Sequence, residues 1–117
     1  MTSIQLFGIP NCGSVKKARS WLDARQLDYT FHDFKKQGLD SATLDAWLKQ
    51  VDWTRLLNKK GTTWRNLDVA TQAQADTLAG ARALMLQATS VIKRPVLVTG
   101  QKILVGFDDS EYAAILK

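Results

Sequence analysis

Apolar residues first gather at Ile4-Gln5-Leu6-Phe7-Gly8, a short run closed by Gly8, Pro10 and Asn11, which predicts a strand feeding a turn. From Val15 the period changes: Val15, Ala18 and Leu22 recur at helical spacing while Lys16, Lys17, Arg19 and Asp23 take the other side. Tyr29-Thr30-Phe31 predicts a second strand with Tyr29 and Phe31 on one face. Strand, helix and strand in that order imply a parallel crossover.

Alternation then gives way to helical spacing. Leu44, Trp47, Leu48 and Val51 follow Asp40, a plausible cap just after Gly38. A helical turn from Trp53 to Leu57 is expected to stop at Asn58-Lys59-Lys60-Gly61. Thr71 and Gln74 have the spacing of a capping box, opening a helix that carries Ala75, Leu78 and Ala79. After Gly80 a further turn set places Ala81, Leu84, Met85 and Ala88 on one side, so that residues 40–88, roughly, read as all helical. Strand character returns at Val96-Leu97-Val98-Thr99 and Lys102-Ile103-Leu104-Val105, and Gly100-Gln101 between them suits a two-residue II′ hairpin. Asp108, Asp109 or Ser110 is placed to cap a last helix bearing Tyr112, Ile115 and Leu116. The expected fold is α/β, a mixed sheet of about four strands with an all-helical insertion, in a single domain over residues 1–117.

Composition narrows the possible roles. A chain of 117 residues with 45% hydrophobic content can bury a core without staples, and its single cysteine excludes an internal disulfide. A lone unpaired thiol fits a reducing compartment, so a cytoplasmic location is expected. No apolar run approaches bilayer-spanning length and the first residues lead straight into a strand pattern, so neither signal peptide, anchor nor membrane partner is expected. The net charge of +5 comes from cations scattered along the chain, a pattern that argues against nucleic acid and for anionic small molecules such as glutathione, oxyanions or phosphates. No bound cofactor or metal is expected.

Candidate chemistry centres on Cys12, which stands between Pro10-Asn11 and Gly13-Ser14 where the first strand hands over to the first helix. The opening amides of a helix lack carbonyl partners and carry the positive end of its dipole, so a thiolate placed there is stabilised and its pKa falls below the usual value of about 8.5. Lys16, one turn on, is placed to add to this effect. A free cysteine is also often a small buried hydrophobe. Location favours the functional reading, because ligands bind where sheet strands end and helices begin, and Gly13 lets a substrate approach the backbone. Ser14 reads as a helix cap rather than a partner of the sulfur. His32, at the end of the second strand, is assigned no proton-transfer role. Trp64 beside Arg65 reads either as core or as the wall of a ligand cleft.

Arg94-Pro95 precedes the third strand. The proline reads as a plain trans residue at a strand edge or as a cis bond turning the chain, and the arginine as a solvated charge or as a holder of a carboxylate, an oxyanion or the thiolate itself.

Three ordered blocks carry a resemblance: Asn11-Cys12-Gly13 after a short strand, the segment from Leu56-Leu57-Asn58-Lys59-Lys60-Gly61 through Thr62-Thr63-Trp64-Arg65, and Ile92-Lys93-Arg94-Pro95-Val96-Leu97-Val98. Together they resemble the arsenate reductase (ArsC) family, which includes the Spx regulators, and within it the YffB branch. The resemblance implies a thioredoxin-like sheet with a helical insertion, and a cis Pro95 beside Cys12. Arsenate-reducing members use one nucleophilic cysteine and a set of arginines around the oxyanion; Cys12 and Arg94 match two of these positions. Asn58 and Gly106 stand where two further arginines are implied. A charge-assisted hydrogen bond contributes about 1.5–3 kcal/mol, so losing two weakens oxyanion binding by orders of magnitude; Lys59, Lys60 and Arg65 are the candidates to compensate, although a lysine cannot reproduce a planar fork. Many Spx members carry a second cysteine three residues after the first; here that residue is Val15.

The reading that follows is a glutathione-dependent thiol reductase acting through Cys12, with glutathione as co-substrate and a glutathionylated or disulfide substrate. Arg94 is the second catalytic candidate, and Asn11, Gly13, Lys16, Arg65 and Pro95 are candidates for substrate binding. The alternatives are an Spx-like regulatory or protein-binding module, with RNA polymerase as its partner, and a weak arsenate reductase.

Overall fold

In the computed structural model, which describes residues 3–100 and 102–116, the strand pattern becomes one four-stranded sheet of order β2-β1-β3-β4. Along the chain lie β1 (Ile4–Gly8), α1 (Gly13–Ala24), β2 (Thr30–Asp33) and the short α2 (Phe34–Gln37). Then come α3 (Ser41–Leu48), α4 (Trp53–Leu56), α5 (Thr62–Arg65), α6 (Val69–Gln74), α7 (Leu78–Gln87) and a 3-10 turn at Thr89–Val91. β3 (Val96–Thr99), β4 (Lys102–Val105) and α8 (Asp109–Ile115) complete the order. β1 runs parallel to β2 and antiparallel to β3, and β3 is antiparallel to β4. This is the thioredoxin-like mixed sheet that the resemblance implies. The chain divides into two compact units, one of residues 1–37 with 94–117 and one of residues 38–93.

Register explains the core of the sheet unit. Phe31, Leu6, Leu97 and Leu104 stand opposite one another across all four strands, forming one apolar row on one face. Against it pack Ala18, Trp21 and Leu22 of α1 together with Tyr112 and Leu116 at the C-terminal helix, and Tyr29 and Phe31 share this side as expected. Tyr112 is fully buried between two edge-on rings, Trp21 at 5.5 Å and Phe107 at 5.0 Å. Asp108 caps α8 by accepting from the amides of Ser110 and Glu111, which selects it from the three expected candidates. The β3–β4 loop is two residues long, as Thr99 pairs with Lys102, and Gly100 has φ 59°. The II′ assignment also requires Gln101, which lies outside the described residues.

The second unit departs further from expectation. Asp40 caps α3 as predicted, accepting from Thr43 at 2.8 Å, and Asp52 caps α4. The Thr71/Gln74 capping box does not form. Asp68 caps α6, placing Thr71 inside it, and Thr77 caps α7 through the Gly80 amide, so the helix boundary falls between Gln74 and Leu78. Leu78, expected on the same helix as Ala75, instead opens α7 and is half exposed there, while Ala81, Leu84 and Met85, expected on one side, are buried. Nor is the block wholly helical. Leu57 bridges Ile92 in antiparallel fashion, with the Asn58 amide donating to Val91 O and the Lys93 amide to Leu56 O, each at 2.7 Å. The short helices α2 and α5 are not foreseen by the periodicity. α5 and α6 bury none of their own residues, so no apolar stripe marks them.

Gly80 ties α6 to α7. A Cβ at this position would overlap the carbonyl oxygen of Gln74, so the close approach of the two helices requires glycine. In an open helix, Gly→Ala stabilises by about 1 kcal/mol. Here Gly80→Ala is expected to have the opposite sign and lower unfolding stability by about 1–3 kcal/mol, as overpacking does. Urea denaturation checks this; a midpoint at or above that of the unaltered chain refutes the packing account.

Candidate active site

The Cys12 loop is set by the close fit of a strand end to a helix start. A Cβ at Gly8 would lie 2.7 Å from Cγ2 of Val15, a stiff side chain, so the last residue of β1 must be small for α1 to begin this close. Cys12 then has extended backbone, with φ −89° and ψ 129°, and occupies the cap position of α1. Its carbonyl accepts the first helical bond, from the Lys16 amide at 2.9 Å. This corrects the expectation for Ser14, which is the second residue inside the helix and exposed. The helix starts two residues before the apolar period becomes visible at Val15, because Gly13 and Ser14 both face solvent.

Cys12 is half-buried and free. Burial alone pushes its thiol up, but the Val15 amide, a hydrogen bond from the Arg94 side chain, the Ser14 amide and the Arg94 charge together outweigh it. The net result is a thiol held below its ordinary value. The sulfur closes no side-chain capping bond of the ordinary kind; the amides favour its anionic form, whose charge complements the positive end of the helix dipole. Arg94 supplies the cation of this cluster. Lys16, expected to contribute, gives its backbone amide to the cap carbonyl and leaves its side chain exposed.

Arg94 is half-buried rather than fully solvated, and the Arg94-Pro95 bond is cis. Pro95 is fully buried immediately before β3, and its carbonyl accepts from the Gly106 amide at 2.8 Å. Gly106 has φ 81°, a backbone conformation that residue type does not display; the family resemblance marks the position only by the arginine it lacks. Asn11 and Gly13 are exposed, and a substituent at Gly13 would meet nothing within 4 Å. Arg65 lies in the second unit, exposed at the end of α5. In that unit Trp64 is half-buried with the Lys59 ammonium 5.4 Å from its ring centre, and the Asn58 side chain accepts from the Lys60 amide at 3.1 Å. The His32 ring centre lies 4.8 Å from that of Phe7, with the two rings tilted by 38°. Among the described residues no group of three or more His, Cys, Asp or Glu gathers as metal ligands, and no helix is long and apolar enough to cross a membrane.

With this geometry in place, the likeness to known proteins becomes specific. An uncharacterized protein of Haemophilus influenzae is 38% identical over 111 residues, covering 95% of this chain and 96% of its own. The global transcriptional regulator Spx 2 of Bacillus anthracis is 22% identical over 115 residues, 97% of this chain and 86% of its own. Among solved structures, a YffB protein is 46% identical and superposes with a TM-score of 0.92 over 98% of this chain and 100% of its own. The ArsC family model matches residues 7–115, nearly the whole of the sheet, the helical segment and the Cys12 loop, and the chain therefore belongs to the ArsC family.

Proposed function

We propose that this protein is a glutathione-dependent thiol oxidoreductase whose nucleophile is Cys12. One observation carries the reading: a half-buried sulfur at the cap of α1 is favoured as an anion by two helix amides and by the Arg94 guanidinium. A thiolate in such a place attacks disulfides, and a pKa brought toward neutrality raises its abundance while leaving it nucleophilic. In the first step the Cys12 thiolate attacks the glutathione sulfur of a mixed disulfide. The old S–S bond breaks and the substrate leaves as a thiolate that takes a proton from water. In the second step the thiolate of another glutathione attacks the Cys12–glutathione disulfide, giving oxidised glutathione and returning Cys12 to its anionic form. The chain has no second cysteine, so the external thiol completes the cycle.

The chain's other residues supply binding. The open backbone at Gly13 and Asn11 gives the tripeptide access to the sulfur, and Lys16 adds a cation for its carboxylates, whereas Pro95, expected to bind it, has no N–H and its carbonyl is held by the Gly106 amide. Efficient arsenate reduction is not part of this proposal, because Asn58 and Gly106 stand where the family resemblance implies guanidinium groups. The rival reading is a protein-binding module of the Spx kind, favoured by the match of nearly the whole chain to a regulator.

Alkylation by iodoacetamide across pH tests the thiolate directly. The midpoint is expected below about 8.5, the value of an unperturbed cysteine, and Arg94→Gln is expected to move it upward. A midpoint at or above 8.5 in the unaltered chain removes the activation argument.

Cys12→Ser is expected to reduce turnover of a glutathione mixed disulfide to the uncatalysed background, read as oxidised glutathione formed in the presence of glutathione. Full turnover by that variant, or none by the unaltered chain, favours the binding module.

Stability should follow the same group. Because the folded-state pKa lies below the unfolded one, ionised Cys12 adds stability that is fully present above the ordinary thiol range. That increment disappears as pH falls through the folded value. Thermal unfolding of Cys12→Ser against the unaltered chain should therefore show a difference that grows from acidic to alkaline pH. A constant difference contradicts it.

A further inference from the structure

We propose that Gly106 is a positioning residue for Cys12: by holding the Pro95 carbonyl, it fixes the segment from which Arg94 reaches the sulfur. This rests on the reading of Cys12 as a nucleophile supported by Arg94. Val96 and Val105 are the last paired residues of β3 and β4 at this end of the hairpin, and Gly106 and Pro95 form the next rung. The Gly106 amide donates to Pro95 O at 2.8 Å. In an antiparallel rung of this type two bonds are normally exchanged, but proline has no N–H to return. The rung therefore depends on the single donor of Gly106.

That donor is aimed by an unusual backbone. At φ 81° the chain turns from β4 toward the Asp108 cap of α8 while its amide still faces Pro95. A residue with a Cβ is strained there, and because β4 and α8 hold the chain on either side, relaxing φ has to be taken up by a tilt of the Val105–Gly106 peptide, which turns its N–H off the carbonyl. Gly106 is buried, so water does not readily replace the lost bond. Pro95 is fully buried as well, and Arg94 is its immediate neighbour, so a shift of this segment moves the backbone that carries the Arg94 side chain.

The test compares alkylation profiles of Gly106→Ala and Gly106→Asn, with folding verified by near-ultraviolet circular dichroism. Asparagine tolerates positive φ better than alanine. The Cys12 midpoint is expected to rise by about half a pH unit or more in Gly106→Ala and to return toward the original in Gly106→Asn. In an Arg94→Gln background the Gly106→Ala shift should vanish, because the two changes act through one contact. A folded Gly106→Ala with an unchanged midpoint, or an equal shift with and without Arg94, overturns the proposal. Should Gly106→Ala not fold, glycine-labelled protein provides the second measurement. The Gly106 amide resonance should titrate with Cys12 ionisation in the unaltered chain and lose that response in Arg94→Gln, whereas a resonance indifferent to Cys12 overturns the proposal. A Cys12 midpoint that is ordinary in the unaltered chain is a different failure, and it falls on the proposed function.

Discussion

The proposed chemistry of this protein depends on a contest at one sulfur between burial, which favours the neutral thiol, and three fixed groups that favour the anion. Two of these groups, the amides of Ser14 and Val15, come free with the start of any helix. The third, Arg94, is supplied by a segment distant in sequence and adjacent in space. Each pKa unit in such a balance corresponds to about 1.4 kcal/mol, the same scale as one good hydrogen bond. Small errors of placement therefore decide the outcome. The features that control placement, the bare Cα of Gly8 against Val15 and the Gly106 rung at Pro95, are geometric rather than chemical.

Much of the sheet unit was legible in the sequence because its burial is periodic. β1, α1, β3 and β4 each expose one side to the core, so Leu6, Ala18, Leu22, Leu97 and Leu104 announce themselves. The helical unit was legible only where helices bury a face, as α3 and α7 do with Leu44, Trp47, Leu84 and Met85. α5 and α6 bury nothing, and capping alone fixes their limits. Several residues there can cap, and the Thr71/Gln74 pair lost to Asp68 and Thr77 because α6 ends at Gln74, before that pair can support a turn.

The candidate site divides in the same way. Cys12 and Arg94-Pro95 were found from residue type and position between predicted elements. The contribution of Lys16 was overestimated, since a side chain one turn along a helix points outward as easily as inward, and Ser14 was misplaced because the helix begins before its apolar stripe does. Gly106 carried no visible chemistry. Its part lies in a backbone angle and an amide direction, neither of which a one-letter sequence displays.

The sheet unit is discontinuous along the chain, interrupted by the whole of the helical unit. During synthesis the ribosome delivers Cys12 early and Arg94 late. Until the final strands dock beside β1, the emerging chain lacks the Arg94 guanidinium that completes the support of the thiolate. On the proposed reading of Cys12 as a nucleophile, its full activation thus arrives only with the last strands.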